Sequence, residues 1–174
     1  MSRLIDELMN VHAELASREN FSSLLVGQCA LVEKDYISSI AAALLTLGGR
    51  HGPTVQTVKF LSKIGDFDPT VYYKHGLVIP GWGSAFHKGE PDPHFDTLDG
   101  FLFEDNNSLW AKIKEYTNKI HDTGKILYPN AACYTAAVAI TEGIPAEVSP
   151  YLLIKGRLDV WTDLYLKNKG TRLP

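Results

Sequence analysis

Cysteine is scarce in this chain: Cys29 and Cys133 are the only two in 174 residues. Neither belongs to a CxxC pair, and both lie among apolar, alanine-containing neighbours. That pattern excludes a disulfide framework and is expected to give buried free thiols in a reducing compartment. Charge of one sign is lacking too. Seventeen basic residues against twenty acidic ones leave a formal net charge of -3, with both signs interspersed. Without a basic run or a basic excess, no nucleic-acid partner is expected. No apolar run approaches the roughly 20 residues that span a bilayer, and Asp6 and Glu7 interrupt the first apolar stretch, so no signal peptide is read there. The expected location is cytoplasmic, with no membrane partner. Internal repeats and low-complexity tracts are missing as well.

What is present is an ordinary globular composition, 45% apolar, in a chain long enough to bury a core without metal or disulfide staples. Helical periodicity dominates it. Leu4, Leu8, Val11 and Leu15 mark a first helix over Leu4 to Ser17. Asn20 is the expected cap of a second, Phe21 to Val32. Asp35 caps a third, with the stripe Ile37, Ile40, Leu44, Leu47 and a stop at Gly48-Gly49. Gly52-Pro53 opens a fourth, with Val55, Val58, Leu61 and Ile64 on one face. From Gly65 to about Asn107 four prolines interrupt the pattern, and this stretch reads as a long, ordered irregular segment, with a short hairpin expected around Val71 to Ile79. Further helices are expected over Ser108 to His121, with Leu109, Ile113, Tyr116 and Ile120 on one side, over Asn130 to Glu142, ended by Gly143, and over Ala146 to about Lys167. The stripe of the last is Tyr151, Ile154, Leu158, Trp161, Tyr165. The class is all-α.

Three segments carry more than periodicity. Asp35-Tyr36-Ile37-Ser38-Ser39-Ile40-Ala41-Ala42-Ala43 runs into Leu47-Gly48-Gly49-Arg50-His51-Gly52. Ile79-Pro80-Gly81-Trp82-Gly83-Ser84-Ala85-Phe86-His87-Lys88 is followed by Asp92-Pro93. Tyr128-Pro129-Asn130-Ala131-Ala132-Cys133-Tyr134-Thr135-Ala136 is followed by Gly143-Ile144-Pro145 and by Arg157 with Trp161. In this order and spacing they resemble the citrate synthase family: its alanine-rich helix and Leu-His-Gly turn, its Pro-Gly-aromatic-Gly-His loop, and its Pro-Asn-Val-Asp-aromatic-Tyr segment with the Arg-x-x-Gly-Trp helix. The resemblance covers roughly Phe21 to Tyr165. It implies a truncated citrate synthase-like helical fold, with the long N-terminal helical half of the family missing. Residues 1–51 and 129–174 correspond to large-domain helices and 52–128 to a small-domain region.

Citrate synthases join an acyl-CoA to a keto acid through an enol, which requires a positioned base and a stabiliser for the developing oxyanion. The resemblance implies that His51 is the histidine facing the enol oxygen. Ser84 stands where a second histidine polarises the keto acid, and Ala132 stands where an aspartate removes the proton. Arg157 matches a substrate arginine, His94 follows Asp92-Pro93 where another is usual, and Arg172 corresponds to one lent to a neighbouring subunit. The loop Pro80, Gly81, Trp82, Gly83 is implied to meet the adenine of CoA, with Lys88 on a phosphate. No tightly bound cofactor is implied; a CoA thioester and a dicarboxylate enter as substrates, and a homodimer is expected through helices Phe21 to Leu47 and Asn130 to Glu142.

Alanine cannot take a proton, and losing a general base removes about 10²–10⁴-fold in rate. Three readings therefore stand: an enzyme of the citrate synthase or citryl-CoA lyase kind, a catalytically inactive dimeric binding or regulatory protein on the same core, or a subunit that needs a second polypeptide carrying the missing N-terminal half. His87, Glu90, Asp92 and His94 offer a displaced acid/base pair. His87, Asp92 and His94 are also compatible metal ligands, but in no recognised spacing, so no metal is assigned. Cys133 has no histidine beside it in sequence and is not read as a nucleophile.

Overall fold

The computed structural model describes residues 2–17, 21–47, 54–84 and 87–169. Nine α-helices lie among the described residues: α1 (Arg3–Ser17), α2 (Phe21–Leu31), α3 (Tyr36–Leu45), α4 (Thr54–Leu61), α5 (Pro69–Lys74), α6 (Asp96–Asp105), α7 (Asn107–Asp122), α8 (Ala131–Thr141) and α9 (Pro150–Asn168). The all-α reading holds. The one β-type pairing among these residues is a single bridge between Trp82 and Pro129.

Side-chain caps set several helix starts. Asp35 accepts the Ser38 amide at 2.9 Å, Asp68 the Thr70 amide at 2.8 Å, and Asn130 the Ala132 amide at 2.9 Å. Each satisfies a backbone donor that the helix itself leaves unpaired. Pro69 and Pro150 occupy first-turn positions, where a missing N–H costs nothing.

At the centre is α8. Every residue from Ala132 to Ala139 is buried, so this helix is apolar all round and packed on more than one side. α4 and α6 lie against it, α1 packs along α9, and α2 packs on both α3 and α9. α7 contributes Leu109, Trp110, Ile113, Tyr116 and Ile120 to the same core, the face its spacing predicts. A satellite cluster of Val26, Ile40, Ala43 and Trp161 joins α2, α3 and α9, and the Trp161 Nε1–H donates to the Ser23 hydroxyl at 3.0 Å.

Several expectations are corrected. The stretch read as irregular holds α5 and α6, and Val71 to Ile79 is the end of α5 followed by a turn, not a hairpin. The α3 stripe is rotated: Ser39, Ile40 and Ala43 are buried, while Ile37 is 71% exposed. In α9 the buried residues are Leu152, Leu153 and Trp161, and Tyr151 faces out. Of the two helices expected to carry a dimer contact, the one over Asn130 to Glu142 has its small residues Ala136 and Ala137 fully enclosed within this chain, so these two are not free to meet a second copy. Asn20, Gly48-Gly49 and Gly52-Pro53 lie outside the described residues.

Candidate functional site

Three pieces converge on the N-terminal end of α8. The first is the glycine loop. Gly83 donates its amide to the Tyr128 carbonyl at 2.9 Å, and Asn130 returns its own amide to the Gly81 carbonyl at 2.9 Å. The Asn130 side-chain amide adds a bond to the Gly83 carbonyl at 2.8 Å. Gly81 has φ +90°, and a Cβ there would meet Thr57 Cγ2 at 2.7 Å and Cys133 Cβ at 3.1 Å. Only glycine lets this backbone pass so close to α4 and α8. The Trp82 indole, 3% exposed, packs edge-on against Phe60 and Tyr116 and donates to the Thr117 hydroxyl at 2.9 Å. It belongs to the core, so of the loop implied to meet adenine the Trp82 side chain offers no exposed face. The loop has backbone, and Lys88 stands exposed after it.

The second piece lies between α1 and α9, and the sequence reading missed half of it. His12 is fully buried. The Thr135 hydroxyl donates to the Ala131 carbonyl at 2.7 Å, so at 2.8 Å from His12 Nε2 it acts as acceptor. The His12 proton therefore sits on Nε2, and Nδ1 is left as a lone-pair acceptor. Nδ1 has no hydrogen-bond partner among the described residues, and neither does the buried Nε of Arg157. Burial lowers the Arg157 guanidinium to about 10. Burial, and then the Arg157 charge, push His12 well below its ordinary value. A half-buried cation beside a neutral imidazole, each with one enclosed nitrogen unpartnered among the described residues, has the chemistry that an anion completes.

Ala132 looks onto the same side. It lies three residues before Thr135, on one face of α8, and its methyl leaves that face without a carboxylate. Asp99 does reach α8, through Tyr134. Tyr134 is two residues past Ala132, about 200° round the helix, so Asp99 faces away and does not replace the missing base. Cys133 is enclosed in the core, and burial raises its thiol, which removes it as a nucleophile.

The third piece is the segment after the glycine loop. The His87 amide donates to the Ser84 hydroxyl at 3.2 Å. Asp92 receives the His94 amide at 3.1 Å and contacts the rings of both His94 and His87. Phe95 then stacks on Tyr134 with centroids 4.1 Å apart, fixing the segment to α8. The structure thus brings Ser84, His87 and His94 onto one segment and sets Arg157 with His12. His51 and Arg172 lie outside the described residues, as do Ala85 and Phe86.

The neutral state of His12 has a pH consequence. Below its ordinary value of about 6.5, the unfolded chain takes up a proton at His12 that the folded chain refuses. Stability is therefore present above that value and lost as pH falls below it, by up to about 1.4 kcal/mol per unit. Urea midpoints measured at pH 7.5 and 5.5 are expected to fall further in the wild type than in His12→Gln. Equal falls in both would show that this imidazole is not held neutral.

This all-α core, packed round the enclosed α8, has the architecture of a citrate synthase-type domain. A family model described as citrate synthase, C-terminal domain, matches residues 1–169, and the chain belongs to that family. Solved structures agree on the fold. Citrate synthase from Thermotoga maritima superposes with a TM-score of 0.83 at 23% identity, covering 99% of this chain and 50% of that one. Citryl-CoA lyase from Hydrogenobacter thermophilus gives 0.77 at 19% identity, covering 100% of this chain and 73% of its own. An aspartate-to-alanine mutant of Methanosaeta concilii ATP citrate lyase, in complex with (3S)-citryl-CoA, gives 0.78 at 19%, covering 98% and 32%. The chain thus spans half or less of two of these relatives. No curated protein sequence matches it. Among the described residues, no helix is long and apolar enough to cross a membrane.

Proposed function

We propose that this protein binds a small hydroxy-polycarboxylate, free or as its CoA thioester, and does not itself carry out base-initiated condensation. One observation carries the reading: the half-buried Arg157 guanidinium acts on the buried His12 imidazole, and the enclosed Arg157 Nε and His12 Nδ1 are both unpartnered among the described residues. A carboxylate satisfies the cation and a hydroxyl proton satisfies the imidazole, a pairing that citrate offers and a plain keto acid does not. The glycine-loop backbone and Lys88 are the groups read as meeting CoA. Position 132 supports the non-catalytic half of the proposal, since an alanine provides no proton acceptor. It does not argue against binding: a structural relative carrying its own aspartate-to-alanine change holds citryl-CoA.

Residues 1–51 with 129–174, and 52–128, are read as the counterparts of the family's large and small domains. A second copy is the proposed partner. Leu31 and Val32 at the end of α2, and Ile37 and Leu45 on α3, all stand exposed, large apolar side chains of the kind that mark a contact between proteins when they group on a surface. A single-chain mass by light scattering would remove the dimer.

The test is calorimetric titration with citrate, oxaloacetate, CoA and acetyl-CoA, alongside thiol release from acetyl-CoA plus oxaloacetate. The expected result is binding of citrate and CoA with thiol release at the buffer rate. No binding of any of the four would sink the proposal. The second reading, a working condensing or cleaving enzyme, is favoured by the gathering of His87, Asp92 and His94 behind Ser84. It would take over if thiol release ran above background and vanished in His87→Ala.

A further inference from the structure

The sequence separates His87, Asp92 and His94 by irregular steps, and nothing in that spacing names a metal. The fold closes the gap. One ligand atom from each of the three lies within 4.8 Å of the other two, and among the described residues this is the one group of three such side chains. His87 Nε2 stands 3.5 Å from an Asp92 carboxylate oxygen, a separation that two ligands of one ion share. Asp92 and His94 are not solvated surface groups: their side chains are 12% and 8% exposed.

We propose that His87, Asp92 and His94 bind a divalent transition metal of the Zn²⁺, Co²⁺ or Fe²⁺ type. Two imidazoles and one carboxylate are the donor set those ions accept, with coordination positions left over for water or a ligand oxygen. The surroundings match such a site in a second, independent respect. A ligating histidine donates its other ring N–H to a carboxylate, which fixes its tautomer. His94 turns Nδ1 to Asp92, and its Nε2 lies 3.3 Å from Glu14 on α1. The ion would part the direct His94–Asp92 hydrogen bond and take its place between them. The backbone is already set: Pro91 and Pro93 restrict the chain on either side of Asp92, and Phe95 is clamped on Tyr134. Little ordering remains to be done on binding. The site needs neither the carboxylate pocket nor a thioester, so it stands or falls apart from them.

Untagged protein, stripped with EDTA, is titrated with Co²⁺ and followed by visible absorption; Zn²⁺ is then titrated against a chromophoric chelator. The expected result is one ion per chain, with Zn²⁺ displacing Co²⁺. His87→Ala, His94→Ala and Asp92→Asn are each expected to lose binding. Glu14→Gln should weaken it about 10- to 100-fold, and His75→Ala, at an exposed site, should leave it unchanged. Far-UV circular dichroism of the metal-free variants checks that each is folded. If His94→Ala fails that check, His87→Ala, with its more open ring, carries the test. No saturable binding by the wild type would overturn the proposal, and so would folded His87→Ala or Asp92→Asn protein that binds as the wild type does.

Discussion

Replacing Arg157 by leucine is expected to abolish polycarboxylate binding and, at the same time, to raise the stability of the unliganded protein. Most active-site substitutions are read through the first effect alone; here the second discriminates. Burial lowers the half-buried Arg157 guanidinium, and its enclosed Nε has no partner among the described residues; a cation partly withdrawn from water in this way weakens the fold that holds it. Substituting apolar residues of similar volume for buried charges is neutral or stabilising by about 1–4 kcal/mol. Leucine keeps much of the arginine stem's contact while removing the charge. Binding moves the other way. Truncating one side of a buried, hydrogen-bonded charge pair costs about 2–5 kcal/mol, roughly a 30- to 5,000-fold loss of affinity. Arg157→Lys retains the charge but not the planar fork, and is expected to fall between. Calorimetry with citrate reads the first effect and urea unfolding without ligand reads the second. A variant that binds citrate normally and unfolds earlier would show Arg157 to be a structural residue, and the carboxylate site would be lost with it.

Much of the fold is legible from periodicity, and where it is not, the reasons are particular. The stripe on α7 reads correctly because that helix has one wet face, so large apolar residues and buried residues coincide. In α3 they separate. Ser39 and Ala43 are fully enclosed, while Leu45 is 86% exposed. A pattern of large apolar residues marks what avoids water, and on α3 part of that surface lies outside this chain's own core, on the face proposed for a second copy. α6 is hidden by its composition: acidic residues fill its first and last turns and Gly100 sits in its middle. The signal that finds it is the run Asp92, Pro93, Phe95, Leu98, Leu102, a cap and a proline followed by apolar steps of three and four.

The site shows the same split. Arg157 is legible because a motif carries it. His12 is passed over when the first helix is read only through its large apolar residues, Leu4, Leu8, Val11 and Leu15. The four-residue ladder Leu4, Leu8, His12, Ala16 places the imidazole squarely on the buried face, and the structure encloses all four residues. A polar side chain on such a ladder must find partners or keep its polar atoms for a ligand; His12 partners Nε2 with Thr135, and Nδ1, unpartnered among the described residues, is the atom proposed to meet one. The metal ligands follow a different logic. Their meeting depends on where the chain turns at Pro91 and Pro93, and no periodicity reports that.

A single methyl group at position 156 is expected to undo the α1–α9 contact that holds His12 and Arg157 together. Gly156 lies within α9, where alanine is worth up to about 1 kcal/mol more than glycine in helix propensity. On propensity alone Gly156→Ala stabilises. The added Cβ, however, would meet His12 Cβ at 2.7 Å, the Met9 carbonyl oxygen at 3.0 Å and Met9 Cα at 3.1 Å. Two of these are backbone atoms of a helix and cannot step aside, so α1 must move. Overpacking of this kind costs about 1–3 kcal/mol, which outweighs the propensity gain. The displacement also falls on the helix turn that carries His12, so citrate binding should weaken along with stability. Gly27 supplies the control: in α2 a Cβ would meet only the Asn168 side chain, at 3.3 Å, and that amide can swing away. Gly27→Ala is expected to be neutral or stabilising, because propensity decides where nothing rigid opposes it. Urea midpoints for the two variants should therefore move in opposite directions or, at the least, separate by more than about 1 kcal/mol. Parallel shifts would mean that α1 and α9 are not packed as closely as the site requires.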